Sequence, residues 1–203
     1  MIADDKWKLN YAEKPEEWIS YLKDSYPYFD LCSNKNVLEL APFCGTHTQL
    51  IESHGAKSIT MVELNEICIT QLQFHYPKHT IVNDDVFNYL QTKRKFDVVV
   101  CCGLLYHLHS PLYLLELIAN MVDPEFLYIE TYTSPELCFR EESDNDMGMR
   151  HLIPNYKSTK LSLLLPEDIL LLAIKNLGYK LITKTKYLDK PVGAVKLWIF
   201  KRT

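Results

Sequence analysis

Four groups of polar side chains, each closing a short apolar run, are where this 203-residue sequence can do chemistry. Glu63 ends Ser58-Ile-Thr-Met-Val-Glu63, 24 residues beyond Glu39 in the first such run. A carboxylate at that place can accept hydrogen bonds from both hydroxyls of a ribose; a solvated acid at a strand end is the plainer reading. Asp84-Asp85-Val86 follows the third run. An acid there can accept from the amine of an adenine while a neighbouring backbone N–H donates to a ring nitrogen, or it can cap the next helix. Cys101-Cys-Gly-Leu-Leu-Tyr-His107 ends the fourth run. Backbone carbonyls near Cys102 can hold an amino group, with Tyr106 and His107 facing the reacting centre. Imidazole titrates near neutral pH, so His107 can serve as base toward a hydroxyl or amine. His47 and His109 are alternatives, and a His107 that only shapes the pocket is equally compatible with the sequence. Tyr106 can orient an acceptor, and Glu130, ending the fifth run, borders the same cleft.

The turn after the first run reads Glu39-Leu-Ala-Pro-Phe-Cys-Gly45-Thr-His-Thr. Gly45 allows a close backbone approach or a positive φ, and Thr46 or Thr48 can cap the helix that follows.

These groups need a scaffold, and the chain supplies one by alternating β-branched runs with amphipathic segments, the pattern of a parallel sheet wrapped by helices. Strands are expected at 36–41, 58–63, 80–82, 96–102 and 126–130. Helices are expected from the turn to about 53, over 65–75, near 86–91 and from Pro111 to about 121. Phe96-Asp-Val-Val-Val-Cys-Cys102 is apolar enough for a central strand buried on both faces. Residues 132–160 read as an irregular lid or interaction loop. A further helix has Pro166 in its first turn and Gly178 at its end. Strands at 179–187 and 192–201 are joined too tightly for a crossover and must be antiparallel. The fold class is therefore α/β: a Rossmann-like three-layer sandwich, mainly parallel, with a C-terminal antiparallel strand pair, in one domain over 1–203. The aromatic-rich segment 1–30 reads as helical and folded back over the sheet.

Composition is that of an ordinary globular chain, 47% hydrophobic and 24% charged, which excludes disordered and collagen-like classes. The net charge of −4 and pI near 6.0 give no global basic field for nucleic acid, and a local basic patch is compatible with both. The six cysteines form no C-x-x-C pair and read as reduced thiols of a cytoplasmic protein. No apolar run reaches membrane-spanning length, and the start MIADDKWKLN is too polar for a secretory signal.

Over residues 36–131 these features resemble the class I S-adenosylmethionine (SAM)-dependent methyltransferases. That resemblance implies SAM as cofactor, bound by Glu39, Ala41, Gly45, Glu63, Leu64, Asp85, Val86 and Cys102, with Tyr106 and His107 as catalytic residues and no metal. The family's G-x-G-x-G reads Ala41-x-Phe43-x-Gly45 here, keeping the third glycine alone, so Phe43 must point away from the ligand or cover it. Gly103-Leu-Leu-Tyr-His-Leu-His-Ser-Pro111 further resembles a segment of the tRNA uridine-5-oxyacetic acid methyltransferase (carboxymethyltransferase) family. Gly45-Thr-His47, Glu130-Thr131, Met149-Arg150 and Ile153-Pro154 support that likeness. It implies that Tyr106 contacts a carboxylated SAM, with Arg150 and Lys196 as candidate cationic partners. An NAD(P) oxidoreductase would need glycines at Ala41, Phe43 and Thr46. A SAM-binding module without chemistry and a scaffold with an empty core are the remaining rivals. A small-molecule acceptor is the leading expectation and tRNA the second; oligomeric state is not legible.

Overall fold

The computed structural model describes residues 29–141, 161–190 and 193–203, with backbone alone for 186–190 and 193–195. Expectations for residues 1–28, for most of the acidic stretch 141–146 and for Arg150 lie outside the described residues.

Five runs of alternating or continuous apolar residues form the parallel strands β1 (Asn36–Leu40), β2 (Ser58–Glu63), β3 (Thr80–Asn83), β4 (Val98–Cys102) and β5 (Phe126–Thr133). β6 (Cys138–Glu141) and β7 (Leu161–Leu164) form a separate antiparallel pair. β8 (Tyr179–Lys190) and β9 (Gly193–Arg202) complete the main sheet, whose order is β3-β2-β1-β4-β5-β9-β8. β9 runs antiparallel to both neighbours, so the expected closing pair is present.

The helices are α1 (Thr46–Ser53), α2 (Glu66–His75), α3 (Val86–Tyr89), α4 (Pro111–Leu117) and α5 (Glu167–Asn176). Strand alternation splits the core into two layers. Val37, Met61, Val98, Val100 and Tyr128 pack with Leu50 and Ile51 of α1 and Leu72 of α2. Leu38, Leu40, Val99 and Ile129 pack on the other face with α3, α4 and α5. β4 is buried along its whole length, and Cys101 and Cys102 fall in opposite layers, as a central strand requires.

β1 pairs with β2 on one side and β4 on the other. The chain runs outward from β1 through β2 to β3 and then returns to β4 on the other side of β1. Strand order therefore reverses between β1 and β4 and opens a crevice at their carboxyl ends, where ligands bind in such sheets.

Several local expectations need correction. Residues 132–160 are not wholly irregular: β5 continues to Thr133, and β6 pairs with β7. The halves of this pair are separated by residues 142–160, so neither short run carries a hairpin signature. β7 docks where Leu163 N–H donates to the Leu108 carbonyl at 2.9 Å, just past Tyr106-His107. α4 stops at Leu117 and passes into a π turn, Ile118–Val122, closed by Asp123 at φ 50°. Pro166 stands one place ahead of the first turn of α5, at its N-cap. Neither Thr46 nor Thr48 caps α1; Gly45 holds the cap position without a side-chain bond.

Candidate active site

The turn from β1 into α1 carries the first group. Ala41, Phe43 and Gly45 have φ of 53°, 56° and 84°, three left-handed residues at alternate places. Ala41 N–H donates to Val62 O at 2.9 Å and Gly45 N–H to Pro42 O at 2.9 Å, fixing the turn at both ends. Only glycine adopts this region freely; an L-residue gives up roughly 1–2 kcal/mol there. The two lost glycines are therefore lost in side chain and kept in backbone path. At Gly45 the requirement is also steric, since a Cβ there would collide with the Tyr76 ring. Tyr76 in turn donates its hydroxyl to Gly45 O at 2.7 Å, holding the start of α1 to the end of α2.

Glu63 ends β2 beside this turn and is buried, 8% exposed. Its Oε1 accepts the N–H groups of Leu64 at 2.8 Å and Asn65 at 2.9 Å, and its Oε2 accepts Phe43 N–H at 3.1 Å. Burial raises its pKa against the pull of these three donors. A solvated acid at a strand end is thereby excluded. Phe43 is half-buried and ties the turn to Glu63 through its backbone. Leu64 is half-buried next to it.

Asp85 caps α3: its Oδ1 accepts Phe87 N–H at 2.8 Å. Of the two readings left open for this acid, the cap is the one realised by that oxygen. Asp84 Oδ1 accepts Asp85 N–H at 2.8 Å, and Val86 is buried in the first turn of α3.

Tyr106 and His107 sit in a 3₁₀ turn, Leu105–His107, at the carboxyl end of β4. Their ring centroids are 4.0 Å apart, and Tyr106 meets Tyr132 edge-on at 4.6 Å. The Tyr106 hydroxyl lies over Gly103, 3.7 Å from where a Cβ would stand. Both residues are half-buried and share one carboxyl edge of the sheet with the turn, Glu63 and Asp85.

The other histidine candidates face other partners. His109 is exposed, with Nδ1 3.2 Å from Ser110 Oγ and its ring 5.5 Å from Phe139 of β6. His47 is turned inward, its Nε2 3.3 Å from Glu130 Oε2. Burial opposes the charge on His47, but the Glu130 carboxylate outweighs it and raises the imidazole pKa. Lys196 is committed to Glu167, which also accepts Lys184 Nζ at 3.1 Å and Trp198 Nε1 at 3.3 Å.

Glu39 was legible as a position but not in its environment. It is 2% exposed and accepts the Thr48 hydroxyl at 2.6 Å. Burial pushes its carboxyl up to about 7, opposed by that hydrogen bond and by His47. Sequence reasoning missed this bond because a helical turn, rather than any motif, brings residues 39 and 48 together.

Among the described residues no helix is long and apolar enough to cross a membrane. The fold is shared by solved methyltransferase structures. The 1,6-didemethyltoxoflavin-N1-methyltransferase of Burkholderia thailandensis superposes with a TM-score of 0.66 at 16% identity, covering 98% of this chain and 86% of that one. The N-terminal domain of EvdMO1 with bound S-adenosylhomocysteine gives 0.63 at 18% identity, covering 94% and 81%. A curated relative, the tRNA U34 carboxymethyltransferase of Wolinella succinogenes, is 32% identical over 104 residues, 47% of this chain. The aligned stretch spans only 36% of that relative's length. A family model described as a methyltransferase domain matches residues 11–184, well over half of the chain. With its sheet order, its left-handed turn and its acid-lined carboxyl edge, the chain belongs to the methyltransferase domain family.

Proposed function

We propose that this protein transfers a methyl group from SAM to a small-molecule acceptor bound at the carboxyl edge of β1, β4 and β5. The observation that carries the reading is the Glu63 carboxylate. It is buried at the end of β2, beside the turn that follows β1, and locked by three backbone donors, one of them in that left-handed turn. An ionised carboxylate has about four acceptor sites, so one remains for a ribose hydroxyl. In this reading Gly45 lets the backbone approach the ligand, while Ala41 and Leu64 line its path. Asp85 and Val86 border the adenine, and Cys102 offers its carbonyl to the amino group.

SAM supplies an activated methyl on a sulfonium, and the chain's task is chiefly to orient the acceptor in line with it. Orientation of this kind can be worth roughly 7–11 kcal/mol. Tyr106, wedged between His107 and Tyr132, has the restrained ring such a task needs. His107 serves as the proton acceptor where the acceptor is a hydroxyl or amine. The likeness to a tRNA carboxymethyltransferase supports a second reading, with a carboxylated donor and tRNA as acceptor. Against it stand the net charge of −4 and the engagement of Lys196 by Glu167. A cytoplasmic location accords with six unpaired cysteines.

Calorimetry with SAM, S-adenosylhomocysteine and NAD tests the cofactor. The first two should bind and NAD should not. Glu63→Gln, which keeps the shape but loses the charge, should weaken SAM by about 1–3 kcal/mol, roughly 5- to 150-fold. Binding of neither SAM nor its product, or an unchanged affinity in Glu63→Gln, would overturn the reading. Metabolites co-purified with the protein and identified by mass spectrometry would name the acceptor.

A further inference from the structure

On the face of the sheet covered by α1, alternation places Glu39 on β1, Cys102 on β4 and Glu130 on β5 in the same layer as Val37, Val100 and Tyr128. Cys102 and Glu130 are register partners on adjacent strands. His47, the second residue of α1, leans over them. A histidine nitrogen, the Cys102 thiol and a Glu130 oxygen all lie within 4.8 Å of one another. Cys102 and Glu130 are 7% and 5% exposed, and the His47 side chain keeps 18% of its surface. Two carboxyl groups, a thiol and one imidazole thus lie together on one buried face of the sheet. Buried acids are held by pairing or by a metal ion.

We propose that His47, Cys102 and Glu130 bind one divalent transition metal, zinc by the chemistry of the set, with a fourth position open. One nitrogen, one sulfur and one oxygen ligand is a mixed set that suits zinc or cobalt and disfavours magnesium or calcium. A tetrahedral zinc with bonds of about 2.0–2.1 Å holds its nitrogen and oxygen ligands about 3.3 Å apart. His47 Nε2 and Glu130 Oε2 are 3.3 Å apart. Three protein ligands with an open fourth place is the make-up of catalytic zinc sites. The cluster lies at the carboxyl end of β4, with Glu130 contributed from within β5, one residue before Gly103, over which Tyr106 folds.

The consequence for chemistry rests on the methyltransferase reading. The fourth position would take an acceptor hydroxyl or thiol, whose proton leaves to solvent on binding, so that His107 would act as proton acceptor only for an acceptor not held by the metal. The freed lone pair on oxygen or sulfur forms the bond to the methyl carbon, and the electron pair of the broken C–S bond stays on the donor's sulfur. The acceptor class is then an alcohol, phenol or thiol.

The test uses the full chain, stripped with a chelator and titrated with cobalt(II) alone. One equivalent should bind and give thiolate-to-cobalt charge-transfer absorption, and zinc should displace it. Cys102→Ser should abolish the band, and Glu130→Gln and His47→Gln should each weaken cobalt binding by about tenfold or more. Cys138→Ser, a change at an exposed thiol, should leave the band intact. Absence of stoichiometric cobalt binding overturns the proposal, as does a band that survives in Cys102→Ser. An ion pair between His47 and Glu130 alone would give the first of these results. Calorimetry with SAM on the same samples separates the two ideas. SAM binding without cobalt binding removes the metal site and spares the methyltransferase reading, and the reverse does the opposite.

Discussion

Replacing Ala41 by glycine should stabilise the folded protein, although glycine ordinarily costs stability. Ala41 holds φ at 53° with a Cβ in place, a conformation that costs an L-residue roughly 1–2 kcal/mol. Glycine removes that strain but adds about 0.5–1 kcal/mol of backbone entropy to the unfolded chain. The balance is a gain of about 0.5–1 kcal/mol, less the small contact of one half-buried methyl. For a chain of this size 1 kcal/mol moves Tm by about 2–4 °C, so a rise of about 1–3 °C is expected. Urea denaturation should show a higher midpoint with an unchanged slope. Phe43→Gly relieves the same strain at φ 56° but gives up a half-buried ring, so it should gain less than Ala41→Gly. If Ala41→Gly instead loses about 1 kcal/mol, the left-handed turn is not strained and the account of the missing glycines fails.

Three other outcomes follow from the same side chains. Glu39 titrates near 7 in the fold against 4.5 in the unfolded chain. Between those values the folded state keeps a proton that the unfolded state has released, so stability falls as pH rises from about 4.5 to about 7, by about 3 kcal/mol. Glu39→Gln, which can still accept from Thr48, should flatten that fall; an identical pH profile would contradict it. Gly45→Ala should destabilise by about 1–3 kcal/mol, because φ is 84° and the new Cβ meets Tyr76; thermal denaturation reads this directly, and an unchanged Tm would show that α2 can yield. A thiol reagent should label exposed Cys138 first and half-buried Cys44 next. Cys32 and Cys101, buried and pushed up to about 12, should wait for unfolding. Early labelling of either would mean that the core opens more readily than its packing implies.

The parallel strands were legible because their apolar runs obey a period that burial on one or both faces demands. β4 is the clearest case, apolar throughout and fully buried. Glu63 was legible from its place at the end of β2. The turn was harder. Sequence marks a left-handed residue by glycine, and at Ala41 and Phe43 the backbone takes that path without the mark. β6 and β7 escaped notice because each has only four residues and its partner lies across residues 142–160. The engagement of Lys196 by Glu167 joins α5 to β9, a tertiary contact that no local pattern encodes. The same holds for His47 and Glu130, which stand far apart in sequence and meet only in the folded chain.

The position of β9 has a bearing on how the molecule is made. It follows every other described strand in sequence, yet it lies inside the sheet between β5 and β8. During synthesis β5 must wait with its outer edge unpaired while residues 134–192 are added, and β8 has no partner in the main sheet until β9 arrives. An open edge is a template for pairing with other chains, and pairings distant in sequence form slowly. Ribosome-bound chains lacking residues 193–202 should therefore be the aggregation-prone species. Closure by β9 then does two things in one step: it seals that edge and completes the β5 wall on which Glu130 and Tyr132 stand.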